Sequence, residues 1–251
     1  MGKKSTPINQ CFLYCLKTDE KGKSDTQVYC KEYDSGFCAM PCFGMYHTVK
    51  DLALAEEYSL AIHLGTHMDS PAHFPPHDIT AEKIPVEHLI APAAVIDITA
   101  KAELDPDAEA TVEDLLQWES TTGQSLDETI VLLRNGWGKY WTNQTAFLGT
   151  ADGDVNHSHF PGFSGEAATW LVENRNIYGV GTEAISFDKG NSRQYPVHRT
   201  ILGHGLFGLE NVANVDKIPI YGAELHVMPM KVGRASGAPV RIIASFPEII
   251  V

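Results

Sequence analysis

Residues 63–74 read His-Leu-Gly-Thr-His-Met-Asp-Ser-Pro-Ala-His-Phe, a stretch with three histidines and one aspartate within eleven residues. The four groups stand at odd-numbered positions: His63, His67, Asp69 and His73. Gly65 and Pro71 disfavour a continuous helix, and a proline favours an extended conformation in the residue before it. Alternate residues of an extended segment point to the same face. We therefore expect this irregular stretch to fold its imidazole and carboxylate groups around one point.

The chemistry of these groups suits a divalent metal ion, because neutral imidazole nitrogen and carboxylate oxygen bind zinc well and manganese or iron tolerably. Catalytic zinc has about three protein ligands and one open position for water. In this interpretation His63, His67 and Asp69 supply the three ligands, and His73 remains nearby to carry a proton. The alternative is that the histidines are unrelated surface or core residues. The density of the four groups favours a metal site.

The pattern H-x-G-T-H-x-D-x-P-x-H-F in residues 63–74 resembles the signature of the cyclase family of metal-dependent hydrolases, and every fixed position is present. That family includes bacterial kynurenine formamidases, isatin hydrolases and trans-dienelactone hydrolases. The resemblance implies a chain of the α/β (α+β) class, folded as a swivelling β/β/α-type single domain with a central mixed sheet. It also implies one or two metal ions per chain, Zn²⁺ or Mn²⁺, and a homodimer or higher homo-oligomer.

A second stretch extends the resemblance. In the formamidase branch, a histidine and a glutamate twelve residues apart complete the metal site, and His198 and Glu210 have that separation. The resemblance therefore implies five ligands, with Asp69 shared between two metals: His63, His67, Asp69, His198 and Glu210. Isatin hydrolases lack part of the second set and use one metal, so Glu210 favours the formamidase-like arrangement. Taken alone, Glu210 is equally a solvated carboxylate.

Further motifs of the family are present in the second half of the chain. Residues 134–137, Arg-Asn-Gly-Trp, resemble its R-x-G-W turn. Trp137 either binds substrate at the pocket wall or caps the core, since tryptophan is often highly buried. Residues 181–188 resemble the pattern G-x-D-x-x-S-x-D, with Glu183 at the first acidic position. These residues form either a polar loop or a set of contacts behind the metal ligands.

Periodicity predicts strands that alternate with a small number of helices. The predicted strands span residues 58–63, 93–98, 129–134, 177–181, 223–228 and 240–246. Thr111 followed by Asp114 predicts a capping box and a helix that ends before Gly123. Ser164 predicts the N-cap of another helix. This order of elements gives the same α/β or α+β class as the resemblance.

The composition excludes several classes of partner. The chain has 251 residues, of which 43% are hydrophobic and 20% charged, as in ordinary globular proteins. Its net charge of −13 disfavours binding to the phosphate backbone of nucleic acids. Apolar runs fall short of the ~20 residues of a membrane span, and no signal-peptide core is visible before residue 11. We therefore expect a cytoplasmic protein with a small-molecule substrate, no nucleic-acid partner and no membrane span.

Two regions are predicted along the chain. Residues 1–45 form an N-terminal extension of poor periodicity, and residues 46–251 form the hydrolase domain that contains every motif. All the cysteines lie in the extension, at Cys11, Cys15, Cys30, Cys38 and Cys42. Reduced thiols of a cytosolic protein and a disulfide-tied extension are both open interpretations.

The motifs together predict a hydrolase of an amide, cyclic amide or lactone that uses metal-activated water. An arylformamidase acting on N-formylkynurenine is the leading hypothesis. The alternatives are a ring-opening hydrolase of the isatin or dienelactone type and a metal-binding protein without activity. A serine triad is not needed for this chemistry, and the sequence has no G-x-S-x-G elbow.

Overall fold

The structure is a computed structural model that describes residues 59–247 together with the backbone of three short strands before them. The five cysteines and the predicted boundary between residues 45 and 46 lie outside the described residues, so both predictions stay predictions. Within the part of the chain that is described, no helix has the length and apolar character needed to cross a bilayer.

Twelve strands and six α-helices follow one another along the described residues. The strands are β1 (Lys3–Pro7), β2 (Thr48–Lys50), β3 (Ala53–Ala55), β4 (His67–Asp69), β5 (Ile90–Asp97), β6 (Glu109–Ala110), β7 (Ile130–Arg134), β8 (Gly162–Phe163), β9 (Gly179–Thr182), β10 (Phe207–Glu210), β11 (Ala223–Pro229) and β12 (Gly237–Pro247). The helices are α1 (Val86–Leu89), α2 (Thr99–Leu104), α3 (Val112–Thr122), α4 (Gln144–Leu148), α5 (Gly165–Asn174) and α6 (Pro196–Gly203).

A mixed sheet organises the molecule, with the strand order β1-β12-β11-β5-β7-β9-β10-β4. Strand β4 also pairs with β12, so seven of the eight strands close into a ring and β1 lies outside it on β12. Strands β5, β7, β9 and β10 run parallel, whereas β4, β11 and β12 pair antiparallel with their neighbours. The predicted α/β (α+β) class with a central mixed sheet is confirmed.

Both faces of the sheet are buried, which explains the continuous apolar runs in β5 and β7. One cluster fills the inside of the closed sheet with alternate residues from six of its seven strands, all except β9, and includes Met68, Leu132, Leu209 and Val240. A second cluster joins the outer face of β5, β7 and β9 to helices α3, α5 and α6. The metal-ligand candidates lie at the edge of this double core, where β4 and β10 meet α6.

The two helix starts predicted from capping residues are confirmed. Asp114 accepts the backbone N–H of Thr111 at 2.8 Å, and Gly123 ends α3 in a left-handed conformation with φ 66°. Ser164 accepts the backbone N–H of Ala167 at the start of α5. These contacts satisfy N–H and C=O groups that a helix end leaves without partners.

The predicted strand over residues 58–63 is wrong for its described part. Residues 59–63 form no strand, and the strand that serves the site is β4, which begins at His67. Residues 59–63 pair with none of the described strands, and Gly65, whose φ of 61° lies in the left-handed region, separates them from β4. The alternating pattern that predicted a strand over these residues is therefore not accompanied by hydrogen bonding to a neighbouring described strand.

Candidate metal centre

Strand β4 delivers the first group of candidate ligands. It lies between β10 and β12, and because side chains alternate along a strand, His67 and Asp69 lie on one face of the sheet. His63 reaches the same point from the irregular segment before it, with Nδ1 at 2.6 Å from Asp69 Oδ1. His67 Nε2 lies 3.2 Å from the same oxygen. The structure therefore brings together the three residues predicted to hold the first metal.

Strand β10 and helix α6 add the second group. Glu210 stands directly opposite His67 in the β10–β4 register, and His198 lies in the first turn of α6. His198 Nε2 lies 3.4 Å from Asp69 Oδ2 and 3.3 Å from Glu210 Oε1, and His67 Nε2 lies 3.3 Å from Glu210 Oε2. Asp69 therefore directs Oδ1 toward His63 and His67 and Oδ2 toward His198. Within each group, one ligand atom per residue lies within 4.8 Å of the others, so each could hold a metal ion.

Each of the three histidines has a separate partner for the ring nitrogen that faces away from the centre. His67 Nδ1 donates to the carbonyl of Gly65 at 2.9 Å, since a carbonyl can only accept. His198 Nδ1 donates to Asp188 at 2.6 Å. These bonds fix the ring orientations and turn the two Nε2 atoms inward, as in sites where a partner orients a metal ligand.

His63 is held in the opposite sense, with Nδ1 toward the centre and Nε2 at 3.0 Å from the hydroxyl of Ser236. A serine hydroxyl both donates and accepts, so it suits either tautomer of this ring. Gly237 makes the close approach possible, because a side chain there would come within 2.6 Å of the His63 ring. Ser236 and Gly237 therefore position His63 from the start of β12.

The donor set fits a divalent cation. Three inward-facing imidazole nitrogens meet two carboxylates that are at most 6% exposed, namely Asp69 and Glu210. Glu210 Oε1 makes no hydrogen bond of good geometry among the described residues, although His198 Nε2 lies 3.3 Å from it. Lone pairs that face each other in a buried site require a positive charge between them, either protons on the imidazoles or a metal ion.

The pKa shifts show the same need for positive charge. Burial alone lowers the pKa of His67, but the Asp69 and Glu210 carboxylates outweigh burial and raise it to about 9. Burial alone raises the pKa of Asp69, but hydrogen bonds from the surrounding histidines hold it well below its usual range. Burial and the neighbouring Asp69 charge raise the pKa of Glu210. The centre therefore attracts cations strongly at neutral pH.

His73 lies beside the cluster rather than inside it. It ends a short 3₁₀ turn, Pro71–His73, and its Nε2 is 3.9 Å from Asp69 Oδ2. Its ring lies 4.1 Å from that of His63, and it remains half-buried. Burial lowers its pKa to about 4, and the neighbouring His63 and His198 act in the same direction against the attraction of Asp69. A neutral imidazole in this place can accept a proton from a group above the centre.

Asp188 is a site residue that the sequence analysis did not single out. It accepts the backbone N–H groups of Val197 and His198 as well as the His198 ring N–H. One carboxylate thus caps α6 and orients a candidate ligand. Its position at the end of the motif over residues 181–188 was the available signal, but the contact depends on the fold.

Glu183 and Trp137 meet in the turn that follows β7. Glu183 is buried and accepts the backbone N–H groups of Asn135 and Gly136 at 2.8 and 2.7 Å, so this stretch is not an exposed polar loop. Burial raises the pKa of Glu183. Trp137 is 6% exposed and donates its Nε1–H to the carbonyl of Phe147. These contacts favour packing over substrate binding for Trp137, whose role in the pocket stays a prediction.

Comparison with known proteins extends the similarity beyond the motifs. The family model described as Cyclase matches residues 11–189. An isatin hydrolase from Roseibium aggregatum is 32% identical over 197 residues, which cover 75% of this chain and 73% of that protein. A kynurenine formamidase from Salinibacter ruber is 25% identical over 193 residues, which cover 73% of this chain and 76% of that protein. Isatin hydrolase A from Ralstonia solanacearum superposes with a TM-score of 0.82 at 28% identity, covering 98% of this chain and 92% of that one.

Proposed function

This chain belongs to the cyclase family, whose model matches residues 11–189, and we propose that it hydrolyses the carbon–nitrogen bond of an aryl amide at a two-metal centre. The observation that carries the proposal is the sharing of Asp69 between two groups of candidate ligands. His63, His67 and Asp69 hold one ion, and Asp69, His198 and Glu210 hold the other. The ions are Zn²⁺ or Mn²⁺, which both accept nitrogen and oxygen donors.

A bound divalent ion polarises the substrate carbonyl and lowers the pKa of a water molecule in the site. The protein supplies the remaining parts. Asp188, Ser236 and the Gly65 carbonyl hold the histidine rings in place. His73 takes the proton from the attacking water at an imidazole nitrogen and passes it to the leaving nitrogen, because it is neutral and lies beside Asp69.

Two amide substrates are candidates, each favoured by a separate observation. The buried Glu210 beside His198 supports the formamidase-like arrangement and hence N-formylkynurenine. The 32% identity to an isatin hydrolase supports ring opening of a cyclic amide such as isatin. Both substrates present a planar aromatic ring next to the scissile bond.

The test is turnover by full-length protein reloaded with Zn²⁺ or Mn²⁺, assayed against N-formylkynurenine, isatin and an aromatic lactone. We expect hydrolysis of at least one of the two amides. His73→Ala should retain the metal and lose activity by about 10²–10⁴-fold. The matched control is His204→Ala, which removes an exposed histidine at the end of α6 and should leave activity unchanged.

Two results would contradict the proposal. Metal bound without turnover of any of the three compounds would favour the metal-binding protein without activity. Turnover of the lactone alone would favour a dienelactone-type hydrolase. We also expect a homodimer or higher homo-oligomer and a cytoplasmic location, which sedimentation and cell fractionation test.

A further inference from the structure

Tyr195 holds a left-handed backbone conformation at the start of α6, with φ 50° and ψ 53°. Residues with a large side chain rarely adopt this region, and the following Pro196 restricts the backbone further. Asparagine or glycine would fit with less strain. The Tyr195 side chain does not cap the helix, because Asp188 accepts the N–H groups of Val197 and His198 instead. A strained residue that the helix start does not require indicates a role for its side chain.

The Tyr195 ring lies next to the metal-ligand cluster and to Phe74. Ring centroids are 5.9 Å apart for Tyr195 and His198, and 6.0 Å apart for Tyr195 and Phe74. Phe74 in turn lies 4.9 Å from His198 and 5.1 Å from His73. Both rings therefore lie beside one proposed metal ligand, His198, and Phe74 also lies beside the proposed proton carrier, His73.

The two rings differ in exposure from the buried aromatic residue behind His198, although Phe74 also packs against the second core cluster. Phe187 stacks on His198 at 3.7 Å and is fully buried, so it supports the histidine from inside. Phe74 and Tyr195 are half-buried, so part of each side chain is accessible. An open cavity of about 450 Å³ lies at the start of α6, lined by Arg199 and by the two chain neighbours of Tyr195, Gln194 and Pro196. Such a volume is in the range of small-molecule pockets.

We propose that Phe74 and Tyr195 form an aromatic subsite that receives the planar ring of an aryl amide while its carbonyl lies over the metal centre. The inference rests on the proposed function and names the substrate feature that this site selects. Two rings set at an angle of 59° to each other favour edge-to-face or offset contact with a flat aromatic group. A small aliphatic amide such as acetamide gains less from them, because it has no ring to place against theirs. Tyr195 therefore determines which substrates bind, whereas the proposed metal ligands and His73 determine the rate of hydrolysis.

The experiment uses three variants of the metal-loaded full-length protein. Tyr195→Asn removes the ring and fits the left-handed backbone, so its thermal stability should not fall. Tyr195→Phe keeps the ring. Tyr221→Asn changes an exposed tyrosine elsewhere and is the matched control. Binding of benzamide, an unreactive aryl amide, and of acetamide is measured by calorimetry, and KM and kcat are measured for the aryl amide that is hydrolysed.

We expect Tyr195→Asn to weaken benzamide binding and raise KM for the aryl amide by about tenfold, with kcat changed little. Acetamide binding should be the same in every variant, and Tyr195→Phe and Tyr221→Asn should behave as wild type. Equal benzamide affinity in wild type and Tyr195→Asn, or no binding to wild type, would overturn the subsite. Benzamide binding that depends on Tyr195 without turnover of any substrate would keep the subsite and contradict the proposed hydrolysis.

Discussion

At the scale of single residues, the centre depends on partners that orient its histidines. The aspartate behind His198 illustrates this, because Asp188 accepts three N–H groups from one turn of α6. A neutral amide in its place accepts fewer of these bonds and offers no charge to the imidazole. Orienting partners of this kind change metal affinity without touching the metal.

Asp188→Asn is therefore expected to weaken the second metal site by roughly 10–100-fold and to leave the first site occupied. Titration of metal content per chain against free metal concentration measures this. Asp152→Asn is the matched control, since Asp152 is an exposed aspartate that also pairs with a histidine, His157. Equal affinity at both sites in Asp188→Asn would show that the contact has no part in metal binding.

The buried histidines also predict how stability depends on pH. The pKa of His67 is raised from 6.5 to about 9, and that of His198 is raised well above its usual value in spite of burial. Because the folded state binds these protons more tightly, their contribution is present in full below pH 6.5 and is lost as the pH rises toward 9. For His67 alone the loss is on the order of 3 kcal/mol.

Urea unfolding of metal-free protein between pH 6.5 and 9 should show this loss. The metal-loaded protein should not, because bound metal takes the place of the protons. His73 acts with the opposite sign and mostly below this window, because its lowered pKa of about 4 keeps it neutral in the folded state while the unfolded imidazole is protonated below about pH 6.5. The same pH dependence with and without metal would contradict the account.

At the scale of elements, the pairing of β4 with β10 and β12 assembles the site. The β10 register places Glu210 opposite His67, and the β12 register places Gly237 opposite Asp69. A Cβ atom on Gly237 would lie 2.6 Å from both the His63 ring and the Met68 carbonyl oxygen. The strand end must therefore be glycine if His63 is to reach Asp69.

Gly237→Ala is expected to displace His63, to lower the free energy of unfolding by about 1–3 kcal/mol and to weaken the first metal site. Chemical denaturation and metal titration measure the two effects. Gly233→Ala adds the same methyl group where no atom lies within 4 Å, so it should change neither quantity. If Gly237→Ala also leaves both quantities unchanged, the close approach has no structural role.

The same elements show what the sequence could and could not predict. His63, His67, Asp69 and His73 fall in one short motif, so local spacing was enough to group them. His198 and Glu210 are distant in sequence and were named through a family resemblance, because only strand pairing and the position of α6 bring them to β4. Ser236 and Tyr195 carry no local signal, since their roles depend on a ring contact and a backbone angle that exist only in the fold.

At the scale of the whole molecule, a closed sheet with two buried faces supports the candidate metal centre, which lies where β4 and β10 meet α6. The strand prediction failed over residues 59–63 because they pair with none of the described strands, whereas the buried strands β5 and β7 followed from their apolar runs. The capping residues of α3 and α5 were equally informative, because a cap acts within one turn of the helix. Local sequence signals thus predicted individual strands and helices. The packing of these elements decides which side chains that are distant in sequence come together.

The central claim is that one aspartate joins two metal-binding groups, and metal content per chain tests it most directly. Elemental analysis of full-length protein reloaded with Zn²⁺ or Mn²⁺ should give two ions per chain for wild type. Glu210→Gln, which removes one carboxylate of the second group, should give one ion with the fold intact by circular dichroism. No bound metal in wild type, or a single ion in both proteins, would contradict the two-metal centre.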